Sequence, residues 1–147
     1  MGKTLRYPVL VLALLCASSL LVNGHILSNN LTITINDKGF APDSVEIPVG
    51  TTLIWVNEDN KPHWPASDLH PTHTRYPGSG IDKCGTPEEK KVLDSCNGLR
   101  TNESFRFHFD ETGEWGLHDH INPSFTMDIK VIGNGNKSGG KINEEYN

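Results

Sequence analysis

The chain has 147 residues, 35% of them hydrophobic, which is enough for one packed core and too few for two. Its formal net charge of −5 at neutral pH argues against nucleic acid and anionic membrane surfaces as partners, since neither is attracted to a net acidic protein. One domain therefore has to carry the function.

Residues 1–24 read as a secretory signal peptide: basic Lys3 and Arg6, the apolar run VLVLALLCASSLLV, then Asn23 and Gly24 at the cleavage offset. The run is shorter than the roughly 20 apolar residues that span a bilayer, and no later stretch is apolar enough to anchor the chain. The expectation is a secreted or periplasmic protein with no membrane span after signal removal. Cys16 would leave with the signal. Cys84 and Cys96 remain, and an oxidising compartment favours a disulfide between them.

Residues 25–133 form the expected domain. LTITIN at 31–36 alternates apolar and polar, DSVEIPV at 43–49 follows a Gly-Phe-Ala-Pro turn, and TTLIWVN at 51–57 follows Gly50. After an insertion at 67–101 the pattern resumes with SFRFHFD at 104–110, EWGLHDH at 114–120 and FTMDIKVI at 125–132. Seven or so short strands between Gly and Pro turns imply an all-β, Greek-key antiparallel β-sandwich. The insertion is rich in Pro, Gly and polar residues, and predicts one short helix over TPEEKKVLDSC at 86–96, with Thr86 as cap and Pro87 in the first turn. Loops this long in compact domains are usually functional or disordered, and a Cys84–Cys96 staple favours order. Residues 134–147 have no apolar periodicity and read as a flexible tail.

The segments KGFAPDSVEIPVGTTLIWVNEDNKPH and FDETGEWGLHDHINPSFTMDIKV resemble the cupredoxins, the family of plastocyanin and azurin. Phe40, Pro42, Gly50, Trp55, Asn57 and Asp59 carry the first half and lead to His63, where the family places its first copper-binding histidine. The second half departs from the blue-copper pattern: Asp119 stands at the cysteine, Asn122 at the histidine before Pro123, and Phe125 at the methionine. The resemblance thus implies the sandwich without a thiolate, and so without a blue electron-transfer site.

In EWGLHDH, strand alternation sends Trp115, Leu117 and Asp119 to one face and His118 and His120 to the other, their Cβ atoms about 6.5–7 Å apart. Both imidazoles could converge on one ion or a close pair. The stretch also resembles the Trp-Tyr-His-Ser-His segment of multicopper oxidases, which serves a trinuclear copper cluster. The matching His-Trp-His is represented here only by His63, Trp64 and Pro65, so oxidase chemistry would require other chains. His70 and His73 in DLHPTHTRYP are expected to fold over the same end, bringing four or five histidines to one rim. Asp119 would add a carboxylate ligand or orient a histidine. The candidate metal set is therefore His63, His70, His73, His118, His120 and Asp119. An imidazole-rich set without thiolate suits Cu(II), Zn(II) or Ni(II), with Cu(II) first by affinity order and zinc the alternative. His108, alternating with phenylalanines, reads as a solvent-facing strand residue. Cleavage after Gly24 would make His25 the mature N-terminus, whose amine and imidazole can chelate copper.

Three functions remain open at this point. One is a copper-binding protein with a non-blue site, used in copper handling or as a redox accessory with a redox or copper-transfer partner. A second is a type-2 or multinuclear copper oxidoreductase completed by oligomerisation. The third is a metal-free binding module.

Overall fold

The computed structural model describes residues 29–134. The expected signal peptide with Cys16, His25, and the tail beyond residue 134 lie outside the described residues.

Eight strands follow in chain order: β1 (Asn30–Asn36), β2 (Gly39–Ala41), β3 (Ser44–Pro48), β4 (Thr52–Asn57), β5 (Pro65–Ser67), β6 (Ser104–His108), β7 (Gly113–Asp119) and β8 (Thr126–Ile132). They form two four-stranded sheets, ordered β2-β1-β4-β6 and β3-β8-β7-β5. The period-2 pattern is what makes each strand two-faced. Leu53, Trp55 and Asn57 of β4 are buried, as are Met127, Ile129 and Val131 of β8, while their neighbours in sequence are more exposed. Ile33, Ile35, Leu53, Trp55 and Phe107 of the first sheet share one core with Ile47, Leu117, Met127, Ile129 and Val131 of the second. Trp55, fully buried, stacks on Phe105 with ring centroids 5.4 Å apart.

The sandwich is as expected, but two of its pairings are parallel, β1 with β4 and β3 with β8. The chain leaves the first sheet after β2, runs β3 in the second, and re-enters beside β1 as β4. A crossover of this kind returns the strand in its original direction, whereas a hairpin reverses it.

The insertion departs from the helix expected at 86–96. Only single 3-10 turns form, at Ile81–Lys83 and Glu89–Lys91, and the chain is extended from Val92. Val92 and Leu93 are buried, the Ser67 N–H donates to the Leu93 carbonyl, and the Ser95 N–H donates to that of Pro65. Burial and pairing along β5 outweigh a helix propensity that a short isolated segment could not realise anyway. The expected Cys84–Cys96 disulfide closes this part of the insertion. Tyr76 drives into the core, and its hydroxyl accepts the N–H groups of Asp110 and Glu111, each at 3.1 Å. The insertion is thus an integral part of the packed domain.

Candidate metal centre

β7 turns Leu117 and Asp119 inward and His118 outward, as alternation requires, yet His118 is only 3% exposed. The insertion covers it. Beyond β5 the chain crosses β7, with the Asp68 N–H donating to the Gly116 carbonyl at 3.0 Å, and lays His70 and His73 against His118 and His120. Ring centroids are 5.3 Å apart for His70 and His118, 4.8 Å for His70 and His120, 5.1 Å for His73 and His118, and 4.9 Å for His73 and His120. One ring nitrogen from each of His70, His118 and His120 lies within 4.8 Å of the others, a set compact enough to converge on one ion.

Hydrogen bonding assigns the ring protons. A carboxylate can only accept, so His118 donates from Nδ1 to Asp68 Oδ1 at 2.9 Å and is left with a lone pair on Nε2. That Nε2 is buried and, among the described residues, has no hydrogen-bond partner. An unpaired buried acceptor costs about 1–3 kcal/mol, a cost that a bound ion removes. His73 donates from Nδ1 to Asp94 Oδ2 at 2.5 Å, so its Nε2 accepts from His120 Nδ1 at 2.9 Å and frees the lone pair on His120 Nε2. Asp94 and His73 therefore aim His120, in the carboxylate–histidine arrangement that orients metal ligands. Asp94 also accepts the Trp64 indole N–H at 2.6 Å and the Cys96 N–H at 2.7 Å, and Trp64 packs on His120 at 4.5 Å.

Burial pushes the His118 imidazole below its ordinary value, against the opposing bond to Asp68; His73 and His70 add to the depression. Burial likewise lowers His120, followed by the neighbouring His73 and His70. For Asp94, burial raises the carboxyl, but hydrogen bonds from His73, Trp64 and Cys96 together outweigh it and hold the group low. Asp94 is thus biased towards its ionised form, and His118 and His120 towards the neutral form that metal coordination needs.

His63 and Asp119 do not join this cluster. His63 Nδ1 lies 2.7 Å from Asp119 Oδ2, its Nε2 lies 3.1 Å from Asp59 Oδ2, and its ring packs on Phe125 at 6.0 Å. Asp119 Oδ1 accepts the N–H groups of Trp64 at 2.8 Å and Ile121 at 3.0 Å. Both oxygens of the carboxylate thus hold groups of the fold. The single rim expected from the sequence is two places on opposite faces of β7, because Asp119 points inward and its two histidine neighbours outward. A cavity of about 290 Å³ lined by His63, Asp59, Asp119, Ile121 and Phe125 occupies the inward side. His108 is exposed, as expected, and lies 3.2 Å from Asp110.

Asp68, Asp94 and Trp64 are the site residues that sequence reasoning missed. Only the adjacency of Asp94 to Cys96 and of Asp68 to His70 hinted at them. Gly116 permits the Asp68 approach, because a Cβ there would overlap the carboxylate and stand 3.0 Å from its Cγ. Gly116→Ala is expected to push Asp68 off His118 and weaken metal binding about 10–100-fold with the fold intact. Calorimetric titration against the parent chain checks this, and equal affinities would remove Asp68 as an orienting group.

No protein-family profile matches the chain, and no curated protein sequence does. Solved structures do. A purple cupredoxin from Nitrosopumilus maritimus is 25% identical, with a TM-score of 0.52 over 69% of this chain and 98% of that one. An amicyanin variant is 14% identical, with a TM-score of 0.51 over 74% of this chain and 87% of its own. A copper-containing nitrite reductase from Thermus scotoductus is 23% identical, with a TM-score of 0.52 over 70% of this chain but only 22% of that larger protein. The fold is cupredoxin-like, in agreement with the resemblance in the sequence.

Proposed function

We propose that this cupredoxin-fold chain is an exported copper-binding protein, serving in copper handling or as a redox accessory, with its ion at the histidine cluster. His118 Nε2, His120 Nε2 and His70 are the ligands; Asp68, and Asp94 through His73, orient the first two. His63 and Asp119 serve the fold. The observation that carries this reading is the buried, unpaired Nε2 of His118 beside the ligand atoms of His70 and His120. Three imidazoles without a thiolate favour Cu(II), with zinc next, and copper is also what the amicyanin and nitrite reductase neighbours are described with. Bound there, copper would be either carried as cargo or used for one-electron chemistry.

The test is to purify the mature chain without a histidine tag, load it with Cu(II), and record stoichiometry with optical and electron paramagnetic resonance spectra. One copper per chain, pale in colour and with wide hyperfine splitting, is expected. An intense blue band, or no stoichiometric copper, would overturn the assignment.

Acid should weaken binding, and the depressed histidines set where. The ordinary imidazole value is 6.5, and burial holds His118 and His120 below it, so protons compete for these rings only at lower pH. Stability follows the same sign. The unfolded chain takes up protons near 6.5 before the folded one does, so this stabilisation is present above that pH and lost as pH falls through the folded values. Copper competition titrations across acidic pH check the prediction, and a midpoint at or above that of free imidazole would contradict it.

A further inference from the structure

The three ligand histidines are not held alike. His118 is buried and tied to Asp68. His120 is tied through His73 to Asp94, is packed on by Trp64, and donates its backbone N–H to the Trp64 carbonyl at 2.8 Å. His70 is exposed, and among the described residues neither of its ring nitrogens has a hydrogen-bond partner. Its ring lies beside three other imidazoles, those of His73 at 6.3 Å, His118 at 5.3 Å and His120 at 4.8 Å.

The backbone around His70 is nevertheless fixed. Asp68 N–H donates to Gly116 at 3.0 Å, His73 N–H to Leu69 at 2.7 Å, and Ile81 N–H to Thr72 at 3.1 Å. Freedom is thus confined to one side chain. An oriented imidazole stays aligned after its bond to an ion breaks, and so re-forms that bond readily. An untethered one loses its alignment to rotamer freedom.

We propose that His70 is the exchange ligand of the centre, and that the ion enters and leaves by direct substitution between His70 and an incoming nitrogen, oxygen or sulfur donor. This rests on the copper-site reading above. The step is a substitution: an incoming nitrogen, oxygen or sulfur lone pair takes the position His70 vacates, one coordinate bond forms as one breaks, and no electron changes hands. Asp68 and His73 keep the other two ligands in place meanwhile.

The experiment is stopped-flow transfer of Cu(II) from the loaded chain to EDTA, followed by recovery of tryptophan fluorescence, since Trp64 lies against His120. For the parent chain the transfer rate is expected to rise with EDTA concentration. His70→Ala is expected to keep one copper per chain, bind it about tenfold more weakly and transfer it faster, because its position stands open. A concentration-independent rate in the parent, a parent-like rate in His70→Ala, or loss of copper in His70→Ala would each overturn the exchange role while leaving the copper site standing. A parent chain that takes up no copper would overturn both.

Discussion

Replacing His118 and His120 together by alanine should abolish stoichiometric copper binding, lowering affinity by more than about 100-fold, while the chain stays folded. Two of the three proposed ligands would be gone, and they are the two that hydrogen bonds hold in place. The fold should survive for a physical reason. The Asp68 carboxylate released by losing His118 is 37% exposed, so water can take over its hydrogen bond, and the unpaired Nε2 disappears with the ring. Metal titration alongside circular dichroism separates the two effects. Copper binding that survives in the folded double variant would end the assignment. His63→Ala should retain affinity, because His63 faces the other side of β7.

Asp119→Ala should do the reverse, lowering unfolding free energy by about 3 kcal/mol and leaving copper stoichiometry unchanged. The Asp119 side chain is fully buried and receives the N–H groups of Trp64 and Ile121 while pairing with His63. Alanine would leave the buried His63 Nδ1 without its partner and release two part-buried backbone N–H groups. Asp119→Asn should recover much of the loss, since an amide oxygen still accepts the two backbone N–H groups and its NH₂ can donate to a re-tautomerised His63. Urea midpoints measure the ordering. If Asp119→Ala lost copper at undiminished stability, the carboxylate would belong among the ligands after all.

The two variants differ because strand alternation sends neighbouring side chains of one short segment to different environments. That alternation was readable in EWGLHDH, and so was the inward direction of Asp119. The insertion's path was not. Its helical signal at 86–96 is a local propensity, and it gave way to burial of Val92 and Leu93 and to backbone bonds with β5, neither of which local sequence encodes. The cluster's orienting groups were hidden for a similar reason. Asp68 meets His118 across 50 positions and Asp94 meets His73 across 21, so no spacing rule connects them.

The sequence by itself determined the sandwich, the disulfide and the pool of histidines from which the cluster is drawn, because these depend on period, cysteine count and residue type. Tertiary structure alone decided that His63 stands apart and that, among the described residues, His118 is buried under the insertion with an unpaired nitrogen and His70 has no hydrogen-bonding tether. Those outcomes depend on which distant segments pack together. Long-range packing is set by burial of the whole chain, which a local pattern does not contain.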